Sequence, residues 1–473
     1  MATPRILPEH LVAEQPVIHP ALDWRENVLM MGVTQEDGGL GVITSNRQML
    51  TFEQLDLPIC DRASNFSRSP VSTEVARRLQ ENYGTPTNEN SAYALVNVPA
   101  QLAAYYRRFV VFPETWWPEV LALWTMGTYL YPIFNAYPYL RISSPEPGCG
   151  KTVLGKLIAR LSFNGEFMTS PTEANIFRMA ESERGTQVWD EVENQHEVER
   201  NRLHTLQAVL LNGYSAGASI PRQERTRGGQ FRTVRFHVYV PRVLIGLSDL
   251  PQVVQQRAIE LMLHGLTPAH HVEQHRPDER VSEEADMRGL CALWALTYCN
   301  AVARQYRRED LSRGLERHLR QAGRLTNDIL LPLFAVGASL LDGDRRSRDV
   351  IRPMLRTMFD EAAPAIARSW NETAVTTPDW LVSALNILEQ CNELEPAQLA
   401  AMVASNLGES LSAERLARGL RRYGILSVRR NGRRVFSTSP SEIAALRSHY
   451  RIETSEEAPI STGVALPAST SGH

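Results

Sequence analysis

Four side chains have the types and spacing to work on one substrate: Lys151, Thr152, Asp190 and Glu191. The first two end the stretch "SPEPGCGKT", Ser144 to Thr152. An ammonium on a long stem, a hydroxyl beside it and two glycines before it suit a chain of phosphates. Gly148 and Gly150 permit backbone conformations and a close approach that a side chain would block. The segment Pro147, Gly148, Cys149, Gly150, Lys151, Thr152 and Val153 would wrap the phosphates, with backbone N–H groups and a helix dipole facing them. Lys151 would place a compact charge on the outer phosphates, and the Thr152 hydroxyl would ligate Mg²⁺. The general pattern G-x-x-x-x-G-K-[ST] wants glycine where Pro145 stands. Context restores the reading: Tyr139–Ser143 reads as a short strand before the loop, and Thr152–Leu161 as a helix after it.

The carboxylates close the stretch from Thr186 to Glu191, a strand candidate that Gln187 interrupts. Asp190 would hold the Mg²⁺ through water, and Glu191 would polarise the attacking water. Asp190 lies 39 residues after Lys151, room for one helix, one strand and a second helix. A third apolar strand, from Val243, ends in small polar residues, and Ser248 there is placed to sense a γ-phosphate. Arg257 precedes another apolar strand, Ala258–Leu263, where a guanidinium could reach a neighbouring subunit's nucleotide. Between Asp190 and Val243 the stretch "RQERTRGGQFR" reads as a basic hairpin over 219–239, turning at Gly228-Gly229. Arg222, Arg225, Arg227, Arg232 and Arg235 decorate it, and basic hairpins can track a nucleic-acid backbone.

The chain contains only two lysines, Lys151 and Lys156, among 50 basic residues. Where arginine is written nearly everywhere else, a lysine kept in the loop is informative, because a planar guanidinium does not replace an ammonium in a tight phosphate cradle. Over 473 residues, 43% hydrophobic and 22% charged content with a net charge of -3 describes a soluble globular protein of several domains. The apolar run Val120–Phe134 is too short to span a bilayer and reads as a buried helix. With no basic-then-apolar leader, a cytoplasmic location without membrane attachment is expected. Five cysteines without a C-x-x-C pair suggest neither zinc nor disulfides. His264, His270, His271 and His275 cluster, but without partners at ligand spacing they read as a solvated loop.

These signals divide the chain. Residues 1–70 form a small mixed region with strand-like Val28–Val33 and Gly41–Thr44. Residues 71–136 read as helical, through Ser72–Asn82, Pro99–Arg107 and Pro118–Tyr131. Residues 137–265 alternate strands and helices, 279–395 are helical again, and 396–453 are compact and basic. The last residues, 454–473, read as a disordered tail. In the basic segment a helix over Pro396–Asn406 precedes a second over Ala413–Arg422, capped by Ser412. Two strands then flank Asn431-Gly432, a strong hairpin signal. Helix followed by basic wing reads as a winged-helix end. Arg415, Arg418, Arg421, Arg422, Arg430 and Arg433 would neutralise phosphates there.

The succession "WWPEVLALWTMGTYL", "PYLRISSPEPGCGKT", "QVWDE", "GASIPR", "VPRVLIGLSDLP" and "QQRAIEL" resembles a P-loop ATPase domain common in phage, plasmid and integrated-element proteins of bacteria. That domain is often described only as one of unknown function and is frequently attached to primase-like modules. The likeness spans about residues 85 to 450. In that family "SPE" commonly precedes the glycines, so Pro145 is no departure. The resemblance implies an α/β P-loop NTPase core of the AAA+ or superfamily 3 kind, with a helical N-terminal collar, a helical C-terminal region and a winged-helix end. It implies Mg²⁺-dependent ATP hydrolysis in a homo-oligomeric, hexameric ring acting on single-stranded DNA. Arg324 is its candidate second sensor, and residues 1–70 carry no primase-type metal cluster. Two functions fit. One is a helicase or translocase in replication of a phage or mobile element. The other is an ATP-gated DNA-binding switch, such as an initiator, loader, regulator or defence component, that unwinds nothing.

Overall fold

The computed structural model describes residues 6–7, 17–34, 38–55, 58–60, 66, 95–169, 172–190, 208–225, 230–246, 252–265, 270–321, 328–342, 345–374, 379–391, 393–408, 411–422, 425–430 and 432–450. Its contacts divide the chain into two units, 1–371 and 372–473. The expected helix Ser72–Asn82, the Gly228-Gly229 turn and the tail 454–473 lie outside the described residues.

The first unit begins with an antiparallel meander of β1 (Leu22–Arg25), β2 (Val28–Thr34), β3 (Leu40–Thr44) and β4 (Met49–Thr51). Glu26 and Asn27 both take positive φ between β1 and β2, the geometry of a tight two-residue hairpin. Leu22, Leu29, Met31, Val33 and Ile43 carry the meander into the main core. Helices α1 (Val98–Phe109) and α2 (Trp117–Gly127) each start with a proline in the first turn, where no backbone N–H is missed. Every residue of α2 from Val120 to Gly127 is buried. A helix apolar on all sides must lie inside. The expected single helix over Val120–Phe134 stops at Gly127, and the chain continues as a 3₁₀ turn at Tyr131–Ile133. Gly127 marks the break, with the Tyr137 hydroxyl 2.3 Å from where its Cβ would be.

Next come β5 (Tyr139–Ser143), α3 (Lys151–Leu161), β6 (Glu166–Thr169), α4 (Glu173–Ser182) and β7 (Gln187–Asp190). After these stand the hairpin of β8 (Ser219–Arg225) and β9 (Phe231–His237), then β10 (Arg242–Ile245) and β11 (Ala258–Met262). Five of these strands form one parallel sheet in the order β11-β5-β10-β7-β6. Both faces are covered, as parallel sheets require. Strand alternation sends Leu140, Ile142, Val188, Val243 and Ile245 to the face carrying α3, and Tyr139, Trp189 and Leu244 to the face carrying α4 and the hairpin. Helices α5 (Pro277–Tyr306), α6 (Glu309–Gln321), α7 (Leu331–Ser339), α8 (Arg345–Thr357) and α9 (Ala363–Ala374) follow. The unit is thus mixed α/β, a five-stranded parallel sheet with helical regions before and after it. No helix among the described residues is long and apolar enough to cross a membrane.

Gln187 and Arg242 explain a strand that looked interrupted. Arg242 is fully buried at the head of β10 and has no carboxylate partner among the described residues. Its guanidinium donates to Gln187 Oε1 at 3.1 Å and to the carbonyls of Val238 at 2.8 Å and Gly213 at 3.2 Å. It also stacks on Trp189, 5.6 Å from the ring centroid. Burial pushes its pKa below the usual guanidinium value. Gln187 completes the tie by donating to the Ile176 carbonyl at 2.9 Å, which joins β7 to α4. A second buried junction lies on the other face. Glu284 of α5 accepts from Tyr105 of α1 at 3.0 Å and from Arg160 of α3 at 2.8 Å, and shares a proton-mediated contact with His275 at 2.9 Å.

The second unit holds α10 (Asp379–Gln390), α11 (Pro396–Leu407), α12 (Ala413–Arg422), the hairpin β12 (Ser427–Arg430) and β13 (Arg433–Phe436), and α13 (Pro440–Tyr450). Leu381, Leu385 and Leu388 of α10 share one core with Leu399, Leu416, Leu420, Phe436 and Ile443. The sequence reading placed α10 with the preceding helices, because amphipathic spacing does not say which neighbour a helix packs on. Between α10 and α11, Leu394 bridges Phe436 antiparallel and lengthens the sheet by one short rung.

Arg242→Met should lower stability by roughly 2–4 kcal/mol, since it strands buried carbonyl acceptors without replacing the donor. Thermal or chemical denaturation measures this, and an unchanged transition would show that the guanidinium is dispensable.

Candidate functional site

The helix α3 begins where the loop after β5 ends, so its first-turn N–H groups stand above the carboxyl ends of the strands. Gly150 caps α3 with φ of 88°, and Gly148 has φ of 82°. At neither position would a Cβ meet anything within 4 Å. The backbone conformation, not crowding, selects glycine there. Cys149 between them is buried, its thiol donating to the Glu146 carbonyl at 3.1 Å. Pro145, Glu146, Pro147 and Gly148 are exposed on the outer curve of the loop. Val153 is exposed in the first turn of α3.

Lys151 curls back over this loop. Its ammonium donates to the Ser144 hydroxyl and, at 3.4 Å, to the Glu146 carbonyl. Ser144 Oγ itself donates to the Glu146 carbonyl at 2.6 Å. Sequence reasoning did not single out Ser144, although its place after β5 and opposite the lysine was the available signal.

The decisive contact joins α3 to β7. Thr152 Oγ1 donates to Asp190 Oδ2 at 3.1 Å. The period of two puts Asp190 on the same sheet face as Val188, which is the face under α3. Asp190 ends β7 and is buried, while Thr152 is exposed. Strand β10 runs between β5 and β7, so one strand's width separates the loop from the carboxylate. Hydroxyl, carboxylate, ammonium and helix N-terminus therefore converge at the carboxyl edge of the sheet. This donor set, hard oxygens beside a cationic N–H cradle, suits a divalent cation held with phosphates.

The remaining expected residues are placed differently. Glu191, Ser248, Arg227 and Arg324 lie outside the described residues, and Arg225, Arg232 and Arg422 are placed by their backbone alone. Arg257 stands at the start of β11, whose register pairs Ala258 with Tyr139, so it lies at the edge of the sheet away from Lys151. Its guanidinium stacks on Tyr214, 4.2 Å from the centroid, and donates to the Leu211 carbonyl. Arg257 therefore does not join its own chain's Lys151–Asp190 site.

On the hairpin, Arg222 sits opposite Val234 and its guanidinium covers Phe177 at 4.7 Å. It is part of the packing against α4. The other face of the hairpin carries Arg235 and Phe231, both exposed. Phe231 is 72% exposed, the most exposed large apolar residue among those described, and pairs with Arg225. An exposed aromatic in a strand is a signal the sequence reading passed over.

In the second unit, Arg415, Arg418 and Arg421 are exposed on α12. Arg430 and Arg433 instead form ion pairs with Glu393 and Glu395, the latter at 3.3 Å. Next to them Arg429 and Arg434 stand directly opposite each other across β12 and β13, exposed and with no carboxylate partner among the described residues. Like charges in such cross-strand pairs destabilise a hairpin. His264, His270 and His271 are exposed, while the His275 side chain is buried against Glu284.

No family model and no curated protein matches the chain. The chain is similar to two solved structures, each described as the A form apo structure of the NrS-1 C-terminal region. The first alignment covers 87% of this chain and 96% of the other at 10% identity, with a TM-score of 0.33. The second has the same coverage and identity and a TM-score of 0.29. At scores this low the likeness carries no argument about chemistry.

Gly150→Ala should cost about 1–2 kcal/mol, because alanine resists the left-handed conformation that starts α3. A Val153→Ala control, at an exposed position, should stay within about 0.5 kcal/mol of the parent in the same denaturation series.

Proposed function

We propose that the first unit is a P-loop ATPase core of the AAA+ or superfamily 3 kind, hydrolysing ATP with Mg²⁺, and that the chain acts on DNA. The observation that carries this reading is the 3.1 Å bond between Thr152 and Asp190 beneath the head of α3. It joins the two residues that would share one cation, from segments far apart in sequence. The sheet order and the placement of the loop after a central strand support it further. Ligands of open α/β sheets bind beyond the carboxyl ends of the strands.

In this mechanism phosphate oxygens take over the acceptor roles that Ser144 and Glu146 now fill for Lys151. The first-turn N–H groups of α3 and the Lys151 ammonium then hold the phosphate chain. Bound Mg²⁺ supplies charge neutralisation at the phosphate oxygens, and Thr152 and Asp190 are the residues that would hold it. Glu191 directs water at the γ-phosphate, and ADP and phosphate leave. Ser248 is assigned the γ-phosphate sensor, and Arg257 the neighbour-reaching guanidinium of a ring. For Arg257, that role requires release from Tyr214 and Leu211.

The DNA reading rests on two surfaces. Phe231 and Arg235 offer a base-stacking ring beside a cation on the hairpin. The exposed Arg429–Arg434 pair costs stability unless a polyanion meets it, which supports a winged-helix reading of the second unit with α10 as first helix, the Leu394 rung, α11, α12 and the wing. That second surface also fits the switch, in which nucleotide only tunes DNA affinity.

Lys151→Ala and Asp190→Ala should each reduce ATP turnover at least about a hundredfold, by removing charge aimed at the transferring phosphate. Undiminished turnover in either variant with native circular dichroism would sink the site. Phe231→Ala with Arg235→Ala should abolish stimulation of the ATPase by single-stranded DNA and any strand separation. If the wild type never separates strands but binds DNA differently with and without ATP, the switch is the function.

A further inference from the structure

A second cluster of chemically capable side chains lies away from the nucleotide site, on the hairpin face of the sheet. His19 precedes β1, Glu181 is in the last turn of α4, and His237 ends β9. One ligand-type atom from each lies within 4.8 Å of the other two. His19 and Glu181 are 4% and 2% exposed. The segments are remote in sequence, so no spacing pattern announced them.

The cluster is oriented, not loose. Glu181 Oε2 accepts from the His237 backbone N–H at 2.6 Å, which turns the carboxylate toward the two rings. Its other oxygen lies 3.8 Å from His19 Nδ1. The His19 backbone N–H donates to Asp23 Oδ2 at 3.1 Å, which fixes the residue. The rings of His19 and His237 meet edge to face, 5.1 Å between centroids. His19 Nδ1 is buried without a hydrogen-bond partner among the described residues. A buried polar atom left so is costly in an ordinary core. Here it is aimed at a carboxylate oxygen with a space between them that is too long for a hydrogen bond.

We propose that His19, Glu181 and His237 bind one divalent transition-metal ion, zinc being the favoured one. Two imidazole nitrogens and one carboxylate oxygen are a borderline donor set that zinc accepts, with water in the fourth position. Ligand atoms about 2.0–2.2 Å from a tetrahedral ion stand roughly 3.4 Å apart, so closure needs movements of about an ångström. The bond from the His237 backbone to Glu181 orients a ligand, as outer contacts do in zinc sites. Arg184 and Arg25 lie near enough for their positive charge to act on His19, and they oppose the ion; Glu181 and Asp23 offset them. The role is a staple: the ion would tie the N-terminal meander to α4 and to the base of the hairpin.

The test uses untagged full-length protein stripped with chelator and then titrated with Zn²⁺ alone. One equivalent should bind and raise the melting temperature. His19→Asn and His237→Asn should each weaken binding at least about tenfold and remove the thermal shift. The double variant His270→Asn, His271→Asn should bind as the parent does. Co²⁺ in place of zinc should give the visible bands of a four-coordinate site in the parent. This readout serves if the histidine variants do not fold. Absence of zinc binding by the parent overturns the proposal. So does binding that survives loss of His19 and His237, or that disappears with His270 and His271.

Discussion

Gly155 sets the distance on which the candidate site depends. A Cβ there would stand 2.2 Å from Ile245 Cδ1, 3.1 Å from the Phe167 ring and 3.3 Å from Val188. Helix α3 therefore rests its backbone directly on β10, β6 and β7. At that separation a short threonine side chain in the first turn of α3 reaches a carboxylate at the end of β7. A larger residue at 155 would have to displace the Ile245 side chain and tighten against Phe167 and Val188, the packing that seats the helix. The Glu284 junction acts at the other end of the same helix, holding Arg160 against α1 and α5. The loop is thus aimed by its helix, and the helix by one missing methyl and one buried carboxylate.

What could be read from sequence was what local chemistry decides. The strand Tyr139–Ser143, the helix after the loop and the helix, strand and helix before Asp190 all follow from short-range apolar pattern and glycine chemistry. The Ala413–Arg422 helix was likewise legible, bounded by Ser412. The features whose contacts the sequence did not show share a non-local cause. Gln187 looks like an interruption until Arg242, fifty-five residues later, is seen to need its amide oxygen. Arg430 and Arg433 look like phosphate ligands until Glu393 and Glu395, ahead of α11, are brought beside them. Arg222 counts as a surface charge until strand parity turns it toward Phe177. Helix α10 reads with the preceding helices for the same reason, since its apolar face fits either, and it shares its core with α11 and α12.

Arginine carries three separate duties in this chain, and burial sorts them. At Arg242 the planar, five-donor head satisfies several carbonyls at once, which one ammonium could not do with the same reach. At Arg108 it gathers Glu273 and Glu283 on the surface, closing the segment before α5 onto α1. At Arg429 and Arg434 it does neither, and the fold gains nothing from their opposition. A like-charge pair with no carboxylate partner among the described residues, on a short hairpin, is the kind of local conflict expected at functional surfaces.

The two lysines show the same division from the other side. Lys156 lies one and a half turns after Lys151 on α3, its ammonium 5.5 Å from the Phe167 centroid. It covers an aromatic ring beside the sheet, a task that arginine also performs elsewhere in this chain. Among the described residues the Lys151 ammonium donates to two oxygens, the Ser144 hydroxyl and the Glu146 carbonyl, in a loop whose glycines keep the backbone close. An ammonium donates from one compact point, whereas a guanidinium spreads its donors over a plane. The compactness of the charge is what the loop geometry selects, which is why the lysine at 151 carries more meaning than its motif alone.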